Sequence, residues 1–274
     1  MITMTNKEFQ LLTNLIKDNY GINLTEKKKN LVESRLNMVL VQENFKSFSE
    51  FYKHLIKDST GKALTTLINR ITTNHTYFMR ELPHFEFMLR EVLPFWISRL
   101  KDEKDLCVWS AGCSSGEEPY TLEMVISDYL GTDFSKWNTN ILATDISLNI
   151  LETAKKGIYT EERIKAIPPK WKLSYFKKID NNRFAVIDRI KERIIFRRFN
   201  LMNGTFPFKK KFNVIFCRNV MIYFDKETKE TLVNKFYNLL EPGGYLFIGH
   251  SESLDRSSSP FKYIMPSVYR RDFD

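Results

Sequence analysis

Residues 106–120 read LCVWSAGCSSGEEPY. Five mostly apolar residues run into a loop with glycines at positions 112 and 116, and an apolar-periodic run follows over 119–130. The stretch predicts a buried strand, a tight turn and a helix. At the carboxyl end of a first parallel strand such a turn lets the backbone approach a ligand, which is the nucleotide-site position of a doubly wound sheet. A strand-to-helix turn with no ligand has the same pattern.

The pattern recurs outward from this stretch. Residues 140–144 (NILAT), 212–217 (FNVIFC) and 245–249 (YLFIG) read as buried strands, and 147–155 and 226–240 as helices. Strands alternating with helices imply βαβ units and a parallel sheet. Between about 160 and 195 a Pro168-Pro169 break and two β-rich pieces, RFAVID and RIIFRRF, predict a small β insertion. Residues 1–73 carry no β-rich stretch. Thr5-x-x-Glu8 and Ser47-x-x-Glu50 are capping-box signatures there, and Leu31, Val32, Arg35, Leu36, Val39 and Leu40 recur at helical spacing behind Lys27, Lys28 and Lys29. The expected fold is an α/β, Rossmann-like doubly wound sheet over 74–274 with a small β insertion, preceded by a small all-helical domain over 1–73.

Composition excludes several classes. With 274 residues, 43% hydrophobic and 27% charged, and no run of eighteen apolar residues, the chain is not disordered, collagen-like or membrane-inserted. The polar start MITMTNKEFQ offers no secretory signal, and three cysteines without CxxC spacing argue against disulfides and a zinc site, so a cytoplasmic location is expected. The histidines have no HExxH company, and no metal is expected. The net charge of +9 is uneven: residues 155–211 carry +12, 1–75 carry +4, and 76–154 carry −7. The basic segments are either solvated faces or a surface for an acidic macromolecule.

The glycine loop ends in Glu117-Glu118 rather than a lysine, and two carboxylates repel a pyrophosphate. Asp145, just past the second strand, is placed to accept both hydroxyls of a ribose, or to cap the helix that follows. A nucleoside without phosphates is favoured, and a sulfonium-bearing one such as S-adenosylmethionine (SAM) suits an acidic loop. Arg218 and Asn219 follow the strand FNVIFC at the same sheet edge, and Asn200-Leu201 is a plausible adenine contact or an ordinary turn. Gly249-His250-Ser251-Glu252-Ser253 approaches G-x-S-x-G but lacks the last glycine, which argues against a serine nucleophile. No NPPY or DPPY tetrapeptide occurs, so nucleic acid is not the expected partner.

At these residues the chain resembles the chemotaxis receptor methyltransferases, the CheR family of SAM-dependent protein-glutamate O-methyltransferases. The matching stretches are TTNHTYFMRE (72–81), WSAGCSSGEEPY (109–120), ATDI (143–146), CRNVMIYF (217–224) and GHSE (249–252), in order over nearly the whole chain. The resemblance implies that Asn74, Thr76 and Arg80 close over the methionine part of SAM, and that Glu118 and Asp145 hold the methionyl amine region and the ribose. It implies that Asn200, Leu201, Arg218 and Asn219 line the adenine and central pocket, that Arg80, Arg218 and Tyr223 sit nearest the transferred methyl, and that S-adenosylhomocysteine is the product. A basic helix carrying Lys27, Lys28, Lys29 and Arg35 would meet the acidic helical bundle of a chemoreceptor. Family members that dock on a receptor tail peptide carry a glycine-containing turn in the β insertion; the turn here, 179–183 (IDNNR), has none, so tail tethering is not expected. The rival readings are a methyltransferase of RNA or a small molecule, and a non-catalytic SAM-binding adaptor. A monomer is the expected state.

Overall fold

The structure, a computed structural model, describes residues 2–71 and 75–273. The chain forms two compact units. One runs from the N-terminus through the first four helices and takes in Asn200–Met202 and Tyr223–Lys229; the other holds the rest.

In the first unit α1 (Asn6–Tyr20), α2 (Lys29–Gln42), α3 (Phe48–Lys57) and α4 (Lys62–Ile71) confirm the all-helical reading. The Thr5 hydroxyl accepts from the Glu8 N–H at 3.2 Å while the Glu8 carboxylate accepts from the Thr5 N–H at 2.9 Å, a complete capping box. The second box differs. Ser47 caps the Glu50 N–H, but the Glu50 carboxylate accepts from the N–H of Lys46 at 2.8 Å. Glu8 also accepts from the Ser49 N–H and hydroxyl, at 2.8 and 2.7 Å, so one carboxylate ties the starts of α1 and α3 together. Phe9, Leu12, Ile16 and Tyr20 bury one stripe of α1.

The second unit comprises α5 (Leu82–Phe87), α6 (Leu93–Arg99), β1 (Val108–Ala111), α7 (Glu117–Leu130), β2 (Ile141–Asp145), α8 (Leu148–Lys156), β3 (Ile158–Thr160), α9 (Pro169–Tyr175), β4 (Phe176–Lys178), β5 (Arg183–Val186), α10 (Asp188–Lys191), β6 (Ile194–Arg198), β7 (Phe212–Cys217), the body of α11 (Lys226–Leu239), β8 (Leu240–Ile248), β9 (Lys262–Met265) and β10 (Val268–Arg270). Seven strands form one sheet in the order β6-β2-β1-β7-β8-β10-β9. The first five are parallel, and β10 pairs antiparallel with β8 on one side and with β9 on the other. β1 and β7 are buried at every residue, Ser110 and Asn213 included, as central parallel strands covered on both faces are.

One expectation is corrected. RFAVID supplies β5, the middle strand of a separate three-stranded antiparallel sheet β3-β5-β4, but RIIFRRF supplies β6, which pairs in parallel with β2 at the edge of the large sheet. α10 lies between the two pieces and separates them. Ile194 and Phe196 are buried while Ile195, Arg197 and Arg198 face solvent, the period-two pattern of an edge strand covered on one face.

Beneath the sheet Trp109 donates its indole N–H to Thr144 Oγ1 at 2.9 Å and is ringed by Phe199, Phe206, Phe208, Phe212 and Phe236. α7 also buries Glu123 completely. Its Oε1 accepts from the Thr139 hydroxyl at 2.7 Å, and Oε2 has no hydrogen-bond partner among the described residues. Burial pushes its pKa up to about 8, against the lowering effects of Thr139 and Arg193. A carboxyl raised on folding contributes stability that is present below its unfolded pKa and is lost as pH rises through the folded value. Glu123 by itself therefore takes stability away between about pH 5 and 9. Glu123→Gln, which cannot ionise, flattens that loss and is more stable by about 1–3 kcal/mol at neutral pH, read by urea unfolding at three pH values. A stability difference between Glu123→Gln and the wild type that does not change with pH contradicts the assignment.

Candidate active site

The site is built where β1, β2, β7 and β8 end. After β1 the chain turns through Gly112 at φ +93° and Gly116 at φ +96°. A Cβ on Gly112 would lie 2.5 Å from Val220 Cγ2, and one on Gly116 2.9 Å from the Tyr159 hydroxyl, so both positions need glycine for conformation and for space. The loop is pinned to the neighbouring strand: the Gly112 and Cys113 N–H groups donate to the Thr144 carbonyl, and the Ser114 N–H donates to Asp145 Oδ2 at 2.9 Å. The Asp145 Oδ1 accepts from the Ser147 N–H at 3.0 Å. Ser147, not Asp145, caps α8, through a bond from the Ile150 N–H. Asp145 is thus released from the capping role and stands at the carboxyl edge, with burial raising its pKa.

The two glutamates that open α7 point to different tasks, as consecutive helical residues must. Glu117 is fully buried and pairs with Arg163, and accepts from the Ser115 hydroxyl at 2.7 Å; it locks the loop from behind. Glu118 faces the sheet edge, accepting from the Ser110 hydroxyl at 2.7 Å and from Arg218 Nη1 at 3.0 Å. Burial raises the Glu118 pKa, and Arg218 opposes the shift.

Arg218 is the centre of the arrangement. Only 2% of its side chain is exposed. Its guanidinium joins Glu118 to Glu81, 3.0 Å from Glu81 Oε2, donates to the Arg80 carbonyl, and lies 5.5 Å over the Phe85 ring. Glu81 is a site residue that the sequence pattern does not single out. It adjoins Arg80 in the TTNHTYFMRE stretch, and the signal that could have found it is that a buried arginine must find carboxylates. Its backbone sits at φ +57°, and its Oε1 accepts from the Asn219 amide at 3.4 Å and the His250 N–H at 3.2 Å. Burial raises the Glu81 pKa, but Arg218 and the His250 N–H outweigh it and hold the carboxyl below its usual range. Glu252 likewise escapes the sequence reading as a site residue. It accepts from the N–H groups of Asn219, Ile222 and Gly249, fixing the turn after β7 against the end of β8. A Cβ on Gly249 would meet the Asn219 amide at 2.4 Å.

Glu81 is also flanked by His84 Nδ1 at 3.5 Å and His250 Nε2 at 3.9 Å, a trio that could gather a cation. Arg218 already neutralises the same Glu81 oxygen, and burial with Arg218 pushes His84 down to about 3, so it is a neutral ring. Burial raises the thiols of Cys113 and Cys217 far above the range of reactive cysteines.

The structure thus brings Glu118, Arg218 and Asn219 together through Glu81, and Asp145 to the glycine loop. Arg80 contributes its carbonyl; its guanidinium donates to the His75 carbonyl at 2.6 Å and lies over Tyr77. Thr76 is half-buried in the same segment. Asn74 lies outside the described residues. Asn200, Leu201 and Tyr223 belong to the first unit, where the Asn200 amide donates to the Asn19 carbonyl at 2.7 Å and Lys28 Nζ lies 5.6 Å over the Tyr223 ring. The expected basic helix is shorter than its charge run: Lys27 and Lys28 sit in a separate 3-10 turn, Glu26–Lys28, and only Lys29 and Arg35 lie in α2. No described helix is long and apolar enough to cross a membrane.

Residues 74–269 match the family described as CheR methyltransferase, SAM binding domain, and residues 7–72 match CheR methyltransferase, all-alpha domain. The chain is 43% identical over 273 residues to the chemotaxis protein methyltransferase of Borreliella burgdorferi, covering 99% of this chain and 96% of that one. It is 34% identical over 275 residues to chemotaxis protein methyltransferase 1 of Pseudomonas aeruginosa, covering 98% and 99%. To the chemotaxis protein methyltransferase of Escherichia coli it is 31% identical over 272 residues, covering 98% and 92%. Two family matches that part where the all-helical segment ends, and relatives aligned over nearly their whole lengths, make this chain a member of the CheR methyltransferase family.

Proposed function

We propose that the chain transfers a methyl group from SAM to glutamate side chains of chemoreceptors, giving glutamate methyl esters and S-adenosylhomocysteine. The observation that carries this reading is the charge at the sheet edge: two carboxylates, Glu81 and Glu118, share the single guanidinium of Arg218, and Asp145 adds a third carboxylate. That set of acceptors fits a cationic nucleoside with free ribose hydroxyls and opposes a polyphosphate.

When bound, the cofactor supplies an electrophilic methyl group on a sulfonium. Asp145 accepts from the ribose hydroxyls, Glu118 faces the methionyl amine, and Asn200, Leu201 and Asn219 line the adenine region. Asn74, Thr76 and Arg80 cover the methionine part and exclude water. The accepting glutamate, with an ordinary pKa of about 4.3, is already ionised at neutral pH, so no general base is needed. Arg80 and Tyr223 orient it for in-line attack. Arg218 acts on the reaction through the groups it clamps, since both faces of its fork are taken by Glu81, Glu118 and the Arg80 carbonyl.

Residues 1–73 recognise the receptor's cytoplasmic helical bundle through Lys27, Lys28, Lys29 and Arg35, and residues 74–274 carry methyl transfer. The protein works as a monomer in the cytoplasm. The turn between β4 and β5 is closed on itself by Asp180, which accepts from the N–H groups of Asn182 and Arg183, and it lacks the glycine of family members that dock a receptor tail.

Calorimetry tests the site. SAM and S-adenosylhomocysteine bind, whereas ATP and NAD do not. Because burial raises the pKa of Glu118 and of Asp145, lowering pH protonates them more readily than ordinary carboxyls and removes the charge that attracts a cation, so SAM affinity weakens as pH falls. A pH-independent affinity sinks the electrostatic assignment. Tyr223→Phe lowers turnover on a receptor fragment by about tenfold or more with SAM affinity unchanged, because it removes an orienting hydroxyl from the reacting geometry alone.

A further inference from the structure

The segment that carries Tyr223 is fastened to the end of α1. Gly21, at φ +70°, ends that helix, and the chain beyond it runs beside the segment: the Asn23 N–H donates to the Tyr223 carbonyl at 2.7 Å, and Ile22 forms an antiparallel bridge with Phe224. Lys17, in the last turn of α1, reaches Asp225 Oδ2 at 2.8 Å. The other oxygen of Asp225 accepts from the Thr228 N–H at 3.0 Å, so one carboxylate fixes both the segment and the first turn of the helix after it. A Cβ on Gly21 would lie 2.4 Å from Met202 Sδ and 3.0 Å from Thr228 Cγ2, and the Asn200 amide closes on the Asn19 carbonyl. Residues 19–23 therefore grip both segments that the first unit borrows, 200–202 and 223–229, and each holds residues assigned to the cofactor or to methyl transfer.

We infer that Lys17, through Asp225, and the loop 19–23 form a positioning clip that sets Tyr223 for methyl transfer. The inference rests on the role proposed for Tyr223. It makes Lys17 a positioning residue outside the sequence motifs: it touches no reacting atom, and its effect on the reaction runs through the backbone that bears the tyrosine. A one-ångström displacement of an orienting group costs up to about a hundredfold in rate, so a solvent-accessible ion pair, of little weight for stability, has a larger weight in turnover.

The experiment measures kcat, receptor KM and SAM Kd for Lys17→Glu, Lys17→Arg, Asp225→Lys, the Lys17→Glu/Asp225→Lys exchange, Tyr223→Phe, and Lys17→Glu in the Tyr223→Phe background. Lys17 is 48% exposed, so its reversal leaves the fold intact. Each single reversal lowers kcat about five- to tenfold with KM and Kd within about twofold, Lys17→Arg retains wild-type turnover, and the exchange recovers turnover above that of Asp225→Lys alone, short of the wild type because the Thr228 N–H stays without its acceptor. In the Tyr223→Phe background Lys17→Glu costs almost nothing further. Wild-type kcat in both reversals, or the same fold-loss with and without the tyrosine hydroxyl, overturns the clip while leaving the catalytic reading in place. Wild-type turnover of Tyr223→Phe overturns the reading of Tyr223 and the clip with it.

Discussion

Arg218→Ala loses about 3–5 kcal/mol of folding stability and, where it is still folded, binds SAM poorly. The side chain is buried between Glu81 and Glu118, and its removal leaves two carboxylates with no cation and the Arg80 carbonyl with no guanidinium donor. Burial already raises the Glu118 pKa with the arginine in place, and losing the arginine removes the charge that opposes the shift, which favours the neutral carboxyl and weakens the pocket's attraction for a sulfonium. Arg218→Lys keeps a positive charge and three donors, but on a single nitrogen in place of the fork whose separate nitrogens reach Glu81, Glu118 and the Arg80 carbonyl. It therefore recovers part of the stability and little of the SAM affinity. Urea unfolding and calorimetry at low temperature measure both; an Arg218→Ala protein as stable as the wild type would show that the clamp is not needed.

Asp145→Ala weakens SAM by about a hundredfold or more. A hydrogen bond to a charged acceptor contributes about 1.5–3 kcal/mol, and a carboxylate at this edge is placed to accept two from one ribose. The side chain also holds the Ser114 N–H, and so the glycine loop itself. Asp145→Asn separates these effects: it retains an oxygen for Ser114 but loses the charge, and its affinity falls between that of the wild type and Asp145→Ala. Equal SAM affinity in the alanine variant and the wild type would remove Asp145 from the site.

The parts legible in the sequence are those set by local periodicity. The mostly apolar run Phe212–Cys217, broken only by Asn213, is β7 residue for residue, and the Thr5/Glu8 capping box stands as its spacing predicts. Pairing was not legible in the same way. RIIFRRF lies close to RFAVID in the chain, and only the three-dimensional path through α10 sends it to the far edge of the large sheet. β9 and β10 are only four and three residues long, too short for any alternation to stand out. At the site, the sheet-edge residues Glu118, Asp145, Arg218 and Asn219 followed from strand ends, whereas Glu81 comes from a turn ahead of α5 and is recruited by a long-range need to balance Arg218. The adjacent Glu117 and Glu118 looked alike in sequence; the helix turns one to Arg163 and the other to Arg218. Lys27 and Lys28 show the same limit, since a charge run marks a surface but does not fix whether its backbone is α or 3-10.

Transfer of labelled methyl from SAM to a cytoplasmic chemoreceptor fragment, followed by mild alkali, decides whether this chain makes glutamate methyl esters. Glutamate O-methylation predicts label on the receptor that alkali releases as methanol, with none on RNA. Label that resists alkali, or a receptor left unlabelled while SAM is bound, would contradict it.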